Sequence, residues 1–205
     1  MSTNFLKLNI DKTNILFIGK QNLLNKYPIS YQYNTNVYNS NIDDKIKLLG
    51  TTLNQNFTYK DTMRSCVKSC YFNLHKLKSI RHYLDEKTKI KLVHAFILSR
   101  LNYCNILYAN ANKGDIKYMQ KVVNASVRFI YNLSRRTHTS TYAMQCHFLP
   151  MEKRIKFKCN MFSYKMLKMK NHCPAYLDGI LVTKSFVRDT RGSADLFILK
   201  NYDSS

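Results

Sequence analysis

Between Met63 and Ile130 the apolar residues recur at three- and four-residue spacing in three successive runs. That spacing constrains the fold more than any other feature of the chain. The first run is Met63, Val67, Cys70, Leu74, Leu77 and Ile80. The second is Ile90, Val93, Ile97, Leu101 and Cys104. The third is Met119, Val122, Val123, Val127 and Ile130. An α-helix turns once in 3.6 residues, so each run lines one helical face. Three such faces can be buried only against each other, which predicts a helical bundle. Thr58 and Asp61 have capping-box spacing ahead of a helix running to about residue 82. Asp85 can cap the second helix, and the third starts near Gly114-Asp115. Pro150 separates a short helix at 140–147 from a basic helix spanning 151–170. Pro174 opens a last short turn, and the tail from Thr183 reads as mobile.

The first 55 residues have strand character instead. Residues 13–18, TNILFI, form a short buried-strand pattern that ends at Gly19. Ile29–Tyr33 and Val37-Tyr38 flank Asn34-Thr35-Asn36, which reads as a hairpin turn. Lys45 to Leu53 is a further strand. The predicted fold class is therefore α+β, mainly α: a small N-terminal antiparallel β-sheet followed by a helical bundle. A sheet this small has an open edge and little core of its own.

Charge narrows the function classes. The chain of 205 residues carries 33 Lys+Arg against 12 Asp+Glu, a net +21. Residues 1–55 hold six Lys and three acids, so the remainder carries +18. An excess of this size fits a phosphate backbone, bound through counterion release without sequence reading. A membrane surface is the competing partner for such charge. No predicted helix pairs a clean basic face with a continuous exposed apolar one, and no apolar run approaches the roughly 20 residues of a membrane span. The expectation is a nucleic-acid partner and no membrane. The polar N-terminus lacks a signal-peptide pattern. With six Cys this predicts reduced thiols and an intracellular protein, in nucleus or cytoplasm.

Several short segments, in one order, match a known pattern. Residues 92–108, LVHAFILSRLNYCNILY, resemble the LVHAF-x-x-SRLDYCN-x-LLY segment of jockey-like LINE (non-LTR) retrotransposon reverse transcriptases, where it lies in the thumb. Residues 9–19 are similar to the N-x-D-K-T-E-x-L-L-I-G stretch that follows the catalytic turn in that family, and 47–53 to the LG-x-x-L-D segment of the primer grip. Residues 65–75 and 80–84 match C-x-x-x-C-F-x-L and I-R-x-x-L. Residues 118–128 match L-Q-x-V-x-N-A-A-x-R, and 149–158 match L-P-x-x-x-R-I-x-F-K. Residues 164–167 and 174–178 match Y-K-x-L and A-P-x-Y-L.

The resemblance implies a division of the chain. Residues 1–55 would be a palm edge, 56–135 a thumb-like bundle, 136–182 a basic connection region and 183–205 a mobile tail. It also implies what is missing. These enzymes hold two metal ions on aspartates from an earlier strand and from a Tyr/Phe-x-Asp-Asp turn, both upstream of the Asp-Lys-Thr segment. Here that segment, Asp11-Lys12-Thr13, follows Met1 by a few residues. Asp43-Asp44 comes after it, in the wrong order, and reads as a charged loop. Two-metal phosphoryl transfer needs carboxylates that clamp the attacking and leaving oxygens. The expectation is therefore no catalytic residue and no cofactor in this chain, with Mg²⁺ held by an upstream polymerase portion that is also a possible partner.

By resemblance Lys12 lies near the incoming nucleotide, and Leu48, Leu49 and Gly50 belong to the primer grip. The bound partner would be RNA or an RNA–DNA duplex. The candidate phosphate contacts are Lys76, Lys78 and Arg81 at the end of the first helix. Arg128, Arg135 and Arg136 follow the third, and Lys153, Arg154 and Lys158 open the basic helix. The apolar residues of that helix, Ile155, Phe157, Met161, Phe162, Met166 and Leu167, are expected to be core, with its cations turned to phosphate. Cys66, Cys70 and His75, or Cys146-His147 and His172-Cys173, have no zinc-module spacing, so no metal site is expected. Two function classes stand. One is a truncated RNA-directed DNA polymerase that retains primer–template binding. The other is a host-adapted nucleic-acid-binding or protein-interaction protein of the same origin.

Overall fold

A computed structural model describes residues 14–19, 41–168, 181–184 and 196–199. Lys12, the predicted 29–38 hairpin and the Pro174 turn lie outside the described residues. The class is the predicted one: a small antiparallel pair of strands precedes a set of packed helices.

Strand β1 (Asn14–Ile15) pairs with β2 (Asn41–Ile42) in parallel, a departure from an all-antiparallel sheet. Parallel neighbours need a crossover of a dozen or more residues, and the chain between them is long enough. The single strand expected over 45–53 is instead a hairpin, β3 (Lys45–Leu48) paired antiparallel with β4 (Thr51–Asn54). Leu49 and Gly50 form its two-residue turn, with φ of 47° and 83°. Two consecutive positive φ values make the turn whose twist suits a hairpin. Leu49 takes the left-handed conformation without being glycine, and the Tyr103 hydroxyl donates to its carbonyl.

Helix α1 (Lys60–Ser79) starts one residue later than the capping-box pattern predicts and has no side-chain cap. Asn54 competes for Thr58: its Oδ1 accepts from the Thr58 N–H at 2.7 Å and its Nδ2 donates to Thr58 Oγ1 at 2.7 Å. Asp61 pairs instead with Lys45 at 2.7 Å, which ties β3 to the helix. The Thr52 N–H also donates to Thr62 Oγ1 at 2.8 Å. A 3₁₀ turn (Arg81–Tyr83) follows α1.

Helix α2 (Glu86–Val93) is capped by Asp85, whose side chain accepts from the Thr88 N–H, as its sequence position predicts. It passes through a π turn (His94–Leu98) into α3 (Ser99–Asn102). Residues four apart drift by about 40° per step around an α-helix. The wider π turn absorbs that drift, so Val93, Ile97 and Leu101 all reach the core. Cys104 does not. The helix has ended, and Cys104 stands exposed at φ 49°.

Helix α4 (Lys113–Ile130) is capped by Asn112, whose Oδ1 accepts from the Asp115 N–H at 2.8 Å. Its five predicted core positions are all buried. Helices α5 (Ser140–Gln145) and α6 (Met151–Lys168) flank Pro150 as expected. One buried cluster joins α1, the π turn, α4 and the start of α6, so Met151 and Ile155 share a core with Val67 and Val123. Strands β5 (Leu181–Lys184) and β6 (Leu196–Leu199) pair antiparallel; β6 and the second half of β5 fall in the segment expected to be a mobile tail. Val182 and Thr183 in β5 and Phe197 and Ile198 in β6 are residue types that favour strands. Among the described residues no helix is long and apolar enough to cross a membrane.

Candidate nucleic-acid interface

The buried stripe of α4 dictates what its other face can be. Met119, Val122, Val123, Val127 and Ile130 point into the core. Lys121, Asn124, Ala125 and Arg128 recur at the same period on the side turned away from it. That side forms one wall of a groove of about 580 Å³. The end of α1 and the following 3₁₀ turn supply the other wall, with Tyr71, Lys78 and Arg81. The loop after α4 closes one end with Asn132, Leu133 and Arg135.

That loop is aimed by backbone geometry. Asn132 has φ 53°, and the Leu133 N–H donates to the Arg128 carbonyl at 3.0 Å. This is the left-handed helix stop that turns a chain back over its last turn, and it brings Arg135 to the groove. Asn tolerates the conformation, whereas a β-branched residue clashes in it. Asn132→Val is expected to lower stability by about 1–2 kcal/mol. Chemical denaturation of the two proteins checks this, and an unchanged midpoint would show that the turn does not require this geometry.

Five cations therefore line the groove: Lys78, Arg81, Lys121, Arg128 and Arg135. No carboxylate lines it. The two ion pairs found among the described residues, Lys45–Asp61 and Lys156–Glu152, use none of the five. Arg128 is half-buried. Its Nη2 donates to the Thr137 carbonyl at 3.3 Å, and its buried Nε has no partner. Arg81 Nε reaches only the neighbouring His82 Nε2, at 3.4 Å. Burial, then the neighbouring Tyr118, push the Tyr71 phenol up against the pull of Arg128, so Tyr71 presents a neutral hydroxyl. A groove with this lining can hold a polyanion. It offers point charges, guanidinium forks and the Asn124 and Asn132 amides.

Of the nine predicted phosphate contacts, four meet here: Lys78, Arg81, Arg128 and Arg135. The sequence reading missed Lys121. The signal was available, because Lys121 lies seven residues before Arg128 and so shares its helical face. Lys76, Arg136, Lys153 and Lys158 are exposed but do not line the groove. Lys76 Nζ instead lies 4.4 Å from the Phe72 ring centroid. Arg154 departs furthest from expectation. Its Nη1 donates to Asn102 Oδ1 at 3.1 Å and its Nη2 to the Leu149 carbonyl at 3.4 Å, and its Nε is buried. It is a tie between α6 and the end of α3.

The basic helix also differs from its expected pattern. Met151 and Ile155 are core, but Phe157, Met161, Phe162 and Tyr164 are 40–55% exposed. Phe157 and Tyr164 sit on the side opposite Met151 and Ile155, and Met161 on the flank between, as 100° per residue requires. Phe162 shares the core side but lies beyond the core's end.

The residues that the resemblance assigns to a primer grip, Leu48, Leu49 and Gly50, lie at the end of β3 and in the β3–β4 turn. Leu48 and Leu49 are 53% and 83% exposed there. Asp44 Oδ1 accepts from Gln55 Nε2 at 2.8 Å, as a loop residue would. Among the described residues no group of three or more His, Cys, Asp or Glu is placed to hold a metal ion. Cys66, Cys70, Cys104, Cys146 and Cys159 are free thiols. Compared with protein-family models, with curated proteins and with solved structures, the chain gives no significant match.

Proposed function

We propose that this chain is a non-catalytic, backbone-binding piece of an RNA-directed DNA polymerase resembling those of jockey-like non-LTR retrotransposons, and that it holds an RNA–DNA or RNA duplex. The groove between α1 and α4 carries the reading: five cations, none in an ion pair and no carboxylate beside them. Stability alone does not call for that arrangement. Like charges gathered on one surface repel, and a polyanion relieves the repulsion by releasing its counterions. The motif order supports the choice of polymerase over other nucleic-acid proteins.

The direct test is binding of the purified chain to an RNA–DNA hybrid of unrelated sequence at increasing salt. Affinity is expected to fall steeply with salt and to be indifferent to sequence. Affinity that is flat between low and physiological salt would overturn the proposal.

The same chain is expected not to extend a primer on an RNA template with Mg²⁺ or Mn²⁺, because its sequence contains no Tyr/Phe-x-Asp-Asp turn. Template-dependent incorporation by protein free of contaminating polymerase would show that other carboxylates serve.

The second reading, an interaction protein of the same origin, is favoured by the exposed stripe Phe157, Met161 and Tyr164. It predicts salt-insensitive behaviour in the hybrid assay, so one experiment separates the two.

A further inference from the structure

A second cleft, of about 640 Å³, lies where the β3–β4 hairpin meets α1 and the π turn. Lys47 and Gly50 come to it from the hairpin, and Ser65, Cys66 and Ser69 from α1. Ser99, Arg100 and Tyr103 come from the segment after the π turn. No carboxylate lines it, and it holds two cations and a thiol. Arg100 Nη1 donates to Ser69 Oγ at 2.6 Å, which holds the guanidinium over the α1 surface carrying Cys66. Tyr103 bonds the hairpin turn through the Leu49 carbonyl and so fixes the cleft's far wall.

We propose that Cys66 is a thiol-modification site whose reagent is an anionic disulfide of the glutathione type, seated by Arg100 and Lys47. The Cys66 thiolate attacks one sulfur of the disulfide. The S–S bond of the reagent breaks as the Cys66 Sγ–S bond forms, and the second half leaves as a thiolate that takes a proton from water. Cys66 is oxidised and the disulfide reduced, and the proton first lost by Cys66 goes to solvent.

The surroundings of the five described cysteines separate Cys66 from the others. Cys70 and Cys146 are buried, and the Cys146 thiol lies 3.4 Å from the Tyr131 hydroxyl. Cys104 is exposed but is not a lining residue of the cation-bearing cleft, and neither is Cys159. Cys66 has Cys70 one turn below it on α1, and its own thiol donates to the Arg100 carbonyl at 3.5 Å. Hydrogen bonding from Cys70 and then the Arg100 charge hold the Cys66 thiol below its ordinary value, against the opposing effect of burial. The same pairing, with burial, pushes Cys70 up, so Cys70 stays a thiol, and its Sγ donates to the Ile97 carbonyl at 3.8 Å. A thiolate beside a cation is the usual setting of a reactive cysteine.

The experiment treats the full chain with glutathione disulfide and, in parallel, with cystamine, a disulfide of opposite charge. Site-resolved mass spectrometry follows each cysteine. Lys68 lies between Cys66 and Cys70, so trypsin places them on separate peptides. Cys66 is expected to be modified first by glutathione disulfide, to react more slowly with cystamine, and to lose this preference at high salt. Arg100→Gln should slow its reaction with glutathione disulfide severalfold, because both the seat for the anion and the thiolate's neighbouring cation are lost, and leave Cys104 unchanged. Lys47→Gln should have the same direction with smaller size, and it holds the test open should the Arg100 variant fail to fold. Faster modification at Cys104 or Cys159, equal rates for the two disulfides, or indifference to both substitutions would each overturn the assignment.

Discussion

Leu101→Asp is expected to abolish the cooperative thermal transition of the helical body. Leu101 is fully buried, in one cluster with Val67, Ile97 and Val123. Removing a buried leucine side chain alone costs about 2–5 kcal/mol. The carboxylate then adds the cost of a buried charge, or of a buried protonated acid, with no partner in place. Together these approach or exceed the roughly 5–15 kcal/mol by which a domain of this kind is stable. Circular dichroism should show lost helix signal at room temperature, and a melt should show no sharp transition. Cys104→Asp is the informative contrast. Its sequence spacing matches that of Leu101, but it lies past the helix end and exposed. Its cost should fall within about 0.5 kcal/mol. A parent-like melt for Leu101→Asp would mean that the α2–α3 face does not pack on α1.

That pair of substitutions marks how far the sequence could be read. Periodicity places Met63 to Leu77 and Met119 to Ile130 on buried faces because uninterrupted α-helices keep their period. It fails at Ile80, exposed just past the end of α1, and at Cys104, where a π turn and a helix stop intervene, and neither leaves a period of its own. The single strand expected over 45–53 gives way to a hairpin for a different reason. Gly50 signals a turn, but its partner Leu49 takes a positive φ that leucine seldom adopts. The hairpin becomes visible only once Tyr103 is seen bonding the Leu49 carbonyl.

The groove was half legible. The clustering of cations after residue 55 is a property of composition. Which of them converge depends on the crossing of α1 with α4 and on the left-handed stop at Asn132. Arg154 shows the limit most plainly. In sequence it is one cation in a basic run. In the fold its two terminal nitrogens are engaged by Asn102 and the Leu149 carbonyl, and its buried Nε has no partner. Charge alone does not distinguish a cation that ties two helices together from one that is free for phosphate.

The groove itself yields the second large effect. Lys78→Ala, Arg81→Ala and Arg135→Ala together should remove most of the salt dependence of binding to nucleic acid while leaving the fold intact. All three side chains are exposed and none is in an ion pair, so nothing buried loses a partner. If all five groove cations each meet a phosphate, the slope of log affinity against log salt is about −4.5 for duplex DNA. A fourfold rise in salt then weakens the parent by about 500-fold and the triple variant, with two contacts left, by about 12-fold. The control is Arg136→Ala with Lys153→Ala and Lys158→Ala, which removes the same charge from outside the groove. If the groove is the interface, the control keeps nearly the parent slope, because those cations do not line the groove and contribute only a screened field. Equal flattening by the two triple variants would mean that binding is spread over the whole basic surface, and the groove would lose its special standing. A parent-like slope in the groove variant would place the phosphate contacts elsewhere, with Lys121 and Arg128 then serving the fold alone.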